Sequence, residues 1–243
     1  FSAHGVSPNV WEEAKSRNLQ AVDAVCPLVT KVHNEVRHYA EQGFTIVLIG
    51  HRNHVEVIGT SGEASDKVVV VESVEEVEKL SVPDPLKIAY VTQTTLSVDD
   101  TRDIVSALKK RFPEVISPSK LDICYATQNR QDAVKELAKI SDIIFIMGSP
   151  ESSNSNRLVE VAKSCGVESS YLIEGAKNLK EEMFDKKMVI GLSSGASTPE
   201  VVVQEVINKL RDFGAVEVEE LNVKEEFTRF PFSDSLEFSI TQN

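Results

Sequence analysis

The chain has 243 residues, of which 41% are apolar and 26% charged, a balance typical of a folded globular protein with one or two domains. Its 26 Lys and Arg against 38 Asp and Glu give a net charge of −12, which argues against nucleic acid as a partner because nucleic-acid binders usually carry a basic surface. The apolar runs are strand-sized, far below the roughly 20 residues of a membrane span, so we expect no membrane partner.

Short β-branched strands alternate with amphipathic helices along almost the whole chain. Helix starts are marked by Ser7-Pro8, by a capping box at 73–76, and by Ser97 and Pro199. Strand–helix alternation of this kind predicts an α/β protein with parallel sheets and helices on both faces. The predicted strands, several of which end in glycine, are 44–50, 67–72, 87–92, 142–148, 169–173 and 187–192.

An internal repeat organises these elements. Cys26 and Cys124 each precede a helix and then a strand that ends in glycine, at Gly50 and Gly148, the same distance after each cysteine. Each glycine is followed by a polar loop, a short strand, a short helix and a strand that ends in hydroxyl side chains. We therefore interpret the chain as containing two copies of one α/β module.

The first residues resemble the end of such a module. Phe1–Pro8 is similar to Leu192–Pro199 and is likewise followed by a helix. Equal units then predict a truncated first module, with about 70 further residues upstream of Phe1; the alternative is a short N-terminal appendage on a two-module protein. The predicted boundaries are 1–25 for the end of the first module, 26–120 and 121–214 for the two complete modules, and 215–243 for a C-terminal tail. Its phenylalanines at 227, 230, 232 and 238 suggest that the tail lies across another module.

Polar side chains cluster where the predicted strands end. In a parallel α/β sheet these ends form the binding crevice, and helices that start there favour an anion through their free N–H groups. Glycine-rich nucleotide-binding motifs are absent from the sequence, so we favour a diphosphate bound by Ser, Asn and His; the alternative is that these residues only cap helices. The residues are His4, His51, His54, Glu56, Thr94, Thr95, Ser152, Ser153, Asn154 and Ser197.

His54 and Glu56 are two positions apart, so a loop can present an imidazole and a carboxyl group to one ligand. A carboxyl beside bound anionic charge holds its proton more tightly and can deliver it near neutral pH. The alternative interpretation is a solvated pair of loop side chains.

The chain has three cysteines, Cys26, Cys124 and Cys165, which lie far apart in the sequence. An odd number of widely spaced cysteines suits a protein of a reducing compartment better than a disulfide framework. No basic and apolar leader opens the chain, so we expect a cytoplasmic protein. Equivalent cysteines in pseudo-symmetric modules, Cys26 and Cys124, would converge on the symmetry axis, where thiolates can hold an iron–sulfur cluster; two small buried thiols are the alternative. We assign Cys165 to the apolar face of its helix, and His33 and His38 to a helix surface.

Taken together, these motifs resemble the LytB family of 4-hydroxy-3-methylbut-2-enyl diphosphate reductases, to about residue 211. The motifs are Ser2-Ala-His-Gly-Val-Ser7, Cys26-Pro-Leu-Val-Thr-Lys-Val-His33, His54-Val-Glu56, Thr92-Gln-Thr-Thr-Leu-Ser97, Ile123-Cys-Tyr-Ala-Thr127, Ser152-Ser-Asn-Ser-Asn-Arg157 and Gly195-Ala-Ser197. The resemblance implies a pseudo-threefold trefoil of three α/β modules. It also implies the last step of the methylerythritol phosphate route to isoprenoids, in which a hydroxyl is removed reductively to give isopentenyl and dimethylallyl diphosphate.

The resemblance further implies roles for single residues. Cys26 and Cys124 match two cysteine ligands of a central [4Fe–4S] cluster, with the third expected upstream of residue 1. Glu56 and Thr94 match the pair that hydrogen-bonds the substrate hydroxyl and supports its protonation, with His54 beside them in the catalytic set. The implied substrate-binding residues are His4, His54, Thr94, Ser152, Ser153, Asn154 and Ser197.

Two departures from the family pattern matter. The family usually has His-Pro-Glu where this chain has His54-Val-Glu56, which removes a rigid φ from the loop. With two of three cysteines present, we predict that the chain as given is inactive or nearly so.

The family implies an allylic diphosphate substrate, a ferredoxin or flavodoxin as electron donor, and a location in the bacterial cytoplasm or, in a photosynthetic eukaryote, the plastid. The alternative function is a non-catalytic diphosphate-binding α/β protein without a cluster; Glu56 counts against it because a carboxylate repels a diphosphate. The absence of glycine-rich phosphate-binding loops from the sequence argues against a dehydrogenase or a kinase-like enzyme.

Overall fold

The computed structural model of the protein describes residues 1–118, 120, 122–185, 187–215 and 217–223. The described chain divides into two compact units, the first ending at Cys124 and the second beginning at Tyr125. The four phenylalanines of the predicted tail lie outside the described residues.

The first unit is built on a three-stranded parallel sheet with the strand order β2-β1-β3. β1 lies in the centre, with Ile46 opposite Val68 of β2 and Ala89 of β3. The elements are α1 (Pro8–Ser16), α2 (Pro27–Glu41), β1 (Thr45–Ile49), α3 (Val55–Ser61), β2 (Val68–Val71), α4 (Val74–Lys79), β3 (Ile88–Thr92) and α5 (Val98–Arg111).

The second unit repeats this plan with the order β5-β4-β6, again parallel. Its elements are α6 (Tyr125–Ala138), β4 (Ile143–Met147), α7 (Ser153–Ser164), β5 (Ser170–Ile173), β6 (Ile190–Ser194) and α8 (Glu200–Asp212). Short 3₁₀ turns at Ala176–Asn178 and Glu181–Met183 lie between β5 and β6. The shared strand order agrees with the repeat predicted from the sequence, and the α/β class with parallel sheets is confirmed.

Both faces of each sheet are covered by helices, as the alternation predicts. In the first unit, Ile46 and Leu48 of β1 pack with α2 and α3, whereas Val47 and Ile49 pack with α4 and α5. In the second unit, alternate residues of β4 pack either with α6 and α7 or with α8. Fully burying one such aliphatic side chain contributes about 1.5–3 kcal/mol, so each central strand holds its unit together through both faces.

Glycine at the end of each central strand lets the next helix approach the sheet. A Cβ atom on Gly148 would lie 2.2 Å from Ser155 Oγ, and one on Gly50 would lie 2.7 Å from Val57 Cγ2. Real side chains cannot pack this closely, so the first turns of α7 and α3 lie against the strand ends only because glycine is there. This brings the polar residues at those helix starts to the carboxyl edge of each sheet.

The sixth strand lies further along the chain than the sequence predicts. The apolar run predicts a strand at 187–192, but β6 covers Ile190–Ser194. Its register with β4 explains the shift, because Ile190 pairs with Ile143 and Ser194 with Met147. Pairing with the central strand therefore extends β6 into its hydroxyl-bearing end.

Two assignments of helix faces were wrong. Cys165 is exposed, because α7 ends at Ser164 and Cys165 is its C-terminal cap. His33 is buried rather than on the surface, and its Nδ1 lies 2.8 Å from Oε1 of Glu63, whose side chain is 4% exposed. His33 shares the helical face of Val29 and Val36, so the periodicity of α2 contained the signal, and the carboxylate partner makes burial of the imidazole acceptable. His38 is exposed, as expected.

Candidate functional site

A buried carboxylate and a threonine form the centre of the candidate site in the first unit. Glu56, in the first turn of α3, is 1% exposed, and Thr94, just after β3, is 4% exposed. Thr94 donates twice to this carboxylate, from N–H to Oε1 at 2.6 Å and from Oγ1 to Oε2 at 3.0 Å. The solvated-pair interpretation of Glu56 is therefore wrong, since both oxygens are enclosed and hydrogen-bonded.

Two imidazoles lie beside this pair. His4 Nδ1 is 3.8 Å from Glu56 Oε2, and the His4 and His54 rings are 5.2 Å apart between centroids, nearly perpendicular to each other. His54 caps α3, with Nδ1 accepting the Glu56 N–H at 3.2 Å. Burial lowers the pKa of His54, the Glu56 carboxylate raises it, and His4 and His51 lower it again. A neutral His54 that accepts at Nδ1 carries its proton on Nε2, where it can donate to a ligand.

The departure from the His-Pro-Glu pattern falls at the first residue of α3. Val55 follows the His54 cap directly and is 55% exposed. Proline is tolerated at this position because the N–H there has no partner within the helix. Valine therefore costs the loop some rigidity and leaves the cap and the Glu56 contacts intact.

The two repeat cysteines lie in the same unit as these residues. Cys26 caps α2, and its N–H donates to Ala3 O at 3.0 Å; the Cys124 N–H donates to Thr94 O at 2.8 Å. Both thiols are only partly buried. Burial raises the pKa of the Cys26 thiol, the Leu28 N–H lowers it, and Cys124 and Glu56 raise it further through their charge. Thr94 links this region to the carboxylate, because it accepts the Cys124 N–H and donates to Glu56.

The donor chemistry of this pair suits an iron–sulfur group. Thiolates are the usual ligands of such clusters, and partly exposed sulfurs at a helix start can reach a bound group. Across the described residues, no group of three or more His, Cys, Asp or Glu side chains is arranged to hold a metal ion. Cys26 and Cys124 could each offer one thiolate to such a group.

Gln93 is a site residue that the sequence reasoning missed. It is 1% exposed, its Oε1 accepts the His51 N–H at 3.0 Å, and its Nε2 donates to Thr95 Oγ1 at 2.8 Å. The side chain thus ties the loop after β1 to the loop after β3. His51 itself is exposed and lies 3.8 Å from Glu72. A glutamine between two hydroxyl-bearing residues was the available signal.

In the second unit, the predicted anion-binding residues differ in their burial and in their hydrogen-bond partners. Ser152 caps α7, with Oγ accepting the Ser155 N–H at 3.3 Å, so helix capping explains it. Asn154 is 7% exposed, and neither Oδ1 nor Nδ2 has a hydrogen-bond partner among the described residues. A buried amide left unpaired costs about 1–3 kcal/mol, which points to a ligand. Ser153 is partly buried, and Ser197 is exposed.

Comparisons with known proteins show to which family the chain is similar. A family model described as LytB protein matches residues 1–211. A Bordetella pertussis protein named 4-hydroxy-3-methylbut-2-enyl diphosphate reductase is 52% identical over 242 residues, covering 100% of this chain and 74% of that protein. A protein of the same name from Acidothermus cellulolyticus is 49% identical over 236 residues, covering 97% of this chain and 69% of that protein.

Two solved structures are also similar. The Plasmodium falciparum E-1-hydroxy-2-methyl-but-2-enyl-4-diphosphate reductase superposes with a TM-score of 0.91 at 38% identity, covering 99% of this chain and 76% of that one. A second structure, of (E)-4-hydroxy-3-methyl-but-2-enyl diphosphate reductase, gives a TM-score of 0.56 at 33% identity, covering 86% of this chain and 74% of that one. The second protein is described as the terminal enzyme of the non-mevalonate pathway.

Proposed function

The chain belongs to the LytB family of 4-hydroxy-3-methylbut-2-enyl diphosphate reductases, and from that premise we propose what its residues do in the reaction. The reaction replaces the allylic C–O bond of the substrate by a C–H bond. Two electrons and two protons enter, water leaves, and isopentenyl and dimethylallyl diphosphate form in the last step of the methylerythritol phosphate route to isoprenoids. A ferredoxin or flavodoxin is the proposed source of electrons.

The Glu56–Thr94 pair carries this proposal. Departure of the hydroxyl as water requires a proton at its oxygen, and Thr94 Oγ1 is held by Glu56 Oε2 at 3.0 Å. In the geometry described, Thr94 Oγ1 donates to Glu56, so the relay requires that Glu56 first takes up one of the two protons that enter. Glu56 then donates this proton to Thr94 Oγ1 as the threonine hydroxyl proton passes to the leaving oxygen. Because Glu56 is 1% exposed, bulk water does not compete for that proton.

The diphosphate would be bound by neutral donors. In the first unit, His54 has Nε2–H free to donate once Nδ1 is used by the Glu56 N–H, and His4 lies beside it. In the second unit, the unpartnered Asn154 amide supports the role proposed for Ser152, Ser153, Asn154 and Ser197. Such donors at strand ends and helix starts stabilise phosphate oxygens without a basic cluster.

Cys26 and Cys124 are the proposed ligands of a [4Fe–4S] cluster. When bound, the cluster would supply electrons to the substrate and a Lewis-acidic iron. The remaining cysteine of this chain, Cys165, is the exposed C-terminal cap of α7 and is not one of the proposed ligands. Since [4Fe–4S] clusters normally take their ligands from more than two cysteines, we propose that these 243 residues assayed alone are inactive or nearly so.

The pseudo-threefold arrangement of modules stays a prediction. It is supported by the strand order shared by β2-β1-β3 and β5-β4-β6, which two copies of one module require. The trefoil itself, and the module boundaries at 26–120 and 121–214, depend on the family resemblance.

Reconstitution with iron and sulfide under anaerobic conditions tests the ligands and the activity together. We expect the parent to bind a cluster weakly, with absorbance at ~400 nm, and to show no turnover of substrate. The absorbance should be lost in Cys26→Ser and in Cys124→Ser and should be kept in the control Cys165→Ser. A colourless parent would favour the non-catalytic diphosphate-binding alternative. A stable cluster that turns over substrate would contradict the proposed inactivity while supporting the reductase.

A further inference from the structure

Asp122 is a buried carboxylate between the two cysteine-bearing parts of the first unit. Its side chain is fully buried, with Oδ1 2.5 Å from Lys31 Nζ. Its Oδ2 accepts the Thr92 N–H at 2.8 Å. Burying a carboxylate costs several kcal/mol unless its oxygens are matched by donors, and here both oxygens are matched.

Lys31 connects this carboxylate to α2. The lysine lies on the helix that Cys26 caps, and its side chain is 26% exposed. Besides Asp122, Nζ donates to the Lys120 carbonyl oxygen at 2.9 Å and lies 3.1 Å from Glu35 Oε2. One ammonium group therefore joins α2 to the segment that leads into Cys124.

The contacts of Asp122 extend to the residues that surround the thiols. Thr92 ends β3 and leads to Thr94, which donates to Glu56. Cys124 follows Asp122 by two residues, and its N–H donates to Thr94 O at 2.8 Å. Asp122 thus contacts the end of β3 and, through Lys31, the helix of Cys26, while its own segment carries Cys124.

We propose that Lys31 and Asp122 are positioning residues that set the spacing of the Cys26 and Cys124 thiols. Neither residue touches the reacting groups in this role. The proposal depends on the proposed function in one respect, namely that these two cysteines act together as ligands. A buried ion pair is a weak source of stability compared with apolar packing, but it constrains how the two segments that it joins are oriented relative to each other.

The spacing of the thiols can be measured without iron, using Cd²⁺, a soft ion that prefers thiolate ligands. In a Cys165→Ser background, Cys26 and Cys124 are the only thiols of the chain. Titration of the apoprotein, followed by the ultraviolet cadmium–thiolate charge-transfer band, gives both the affinity and the number of sulfur ligands. We expect the parent to bind one Cd²⁺ through both thiolates.

Lys31→Met and Asp122→Asn should each weaken Cd²⁺ binding about 10- to 100-fold, the range typical of groups that orient metal ligands. Lys31→Arg keeps the charge and should stay within about threefold of the parent, as rescue by a conservative change requires. The double variant Lys31→Met with Asp122→Asn should bind Cd²⁺ about as tightly as Lys31→Met alone, because the ion pair that Asp122→Asn removes is already lost once Lys31 is replaced. If Asp122→Asn does not fold, the Cd²⁺ affinity of Lys31→Met alone tests the proposal, because Lys31 is partly exposed and Asp122 keeps its hydrogen bond from the Thr92 N–H.

Arg52→Gln is the matched control, because Arg52 pairs with Glu72 and Glu76 in the same unit. It should lose both ion pairs and keep the Cd²⁺ affinity, which separates positioning from a general loss of stability. Folded Lys31→Met and Asp122→Asn proteins with unchanged affinity would overturn this inference alone. A parent that binds Cd²⁺ through one thiolate would overturn the proposed cluster ligands together with it.

Discussion

Asn154 and Asn156 are two asparagines on one turn of α7 with opposite surroundings. Asn156 Nδ2 donates to Pro150 O at 2.6 Å and to Ser152 O at 3.0 Å, whereas both polar atoms of Asn154 are buried and unpartnered among the described residues. Burial and pairing, not residue type, therefore separate the amide proposed to bind a ligand from the one with a structural role. The sequence placed both within one motif and contained nothing to distinguish them.

Asn154→Leu should make the free protein more stable. An apolar side chain of similar size removes the unpaired amide, so the free energy of unfolding should rise by about 1 kcal/mol, while the affinity for inorganic diphosphate falls. Denaturant unfolding and calorimetric titration measure the two effects. The control Asn156→Leu should instead lower stability, because it removes two hydrogen bonds, and should spare the affinity. A destabilised Asn154→Leu protein would mean that the amide is satisfied in the free state.

His33 should make stability depend on pH. Burial lowers the pKa of His33, and the nearby Glu63 carboxylate only partly opposes this. The unfolded chain therefore binds a proton more readily than the folded one, so stability is complete above the ordinary histidine pKa of about 6.5 and is lost as pH falls below it.

Thermal unfolding between pH 7 and pH 5 measures this dependence. His33→Gln should show a smaller loss of stability over that interval than the parent. His54, whose pKa is also lowered by burial, should supply part of the dependence that remains. His38→Gln, on the exposed side of the same helix, should leave the slope unchanged; equal slopes for parent and His33→Gln would contradict the assignment.

At the scale of elements, hydrophobic periodicity predicted where the strands and helices lie better than it predicted where each one ends. All six strands were found where β-branched runs occur, and Ile104 and Leu108, one turn apart on α5, are both buried. The bounds of β6 were missed because they are set by pairing with β4, a contact distant in sequence. Cys165 was missed because periodicity does not show where α7 ends.

Gly148→Ala should destabilise the second unit through the approach of α7 to β4. The added Cβ would meet Ser155 Oγ at 2.2 Å and Ser155 Cβ at 2.6 Å, so the helix start must move, at a cost of about 1–3 kcal/mol. Gly175→Ala is the control, since its Cβ would meet only Val202 Cγ1 at an ordinary 3.6 Å. Denaturant unfolding should show a loss in the first variant only; equal stabilities would mean that α7 can shift freely.

At the scale of the whole molecule, the repeat and the family were readable from the sequence because both depend on motifs that recur at fixed places. The structure adds two units with one strand order, and the curated relatives described above are covered to 69% and 74% of their length. Every described helix is too short or too polar to pass through a lipid bilayer. The Lys31–Asp122 contact was not predictable, since it joins positions far apart in sequence whose charges look like ordinary surface charges.

The main chains of Cys26 and Cys124 are anchored by hydrogen bonds to Ala3 and Thr94 in which sulfur takes no part. The position of the backbone at both cysteines therefore depends on main-chain contacts and not on a bond to either thiol. A cluster bound there as proposed would then be one that fresh iron and sulfide could rebuild without refolding of the polypeptide.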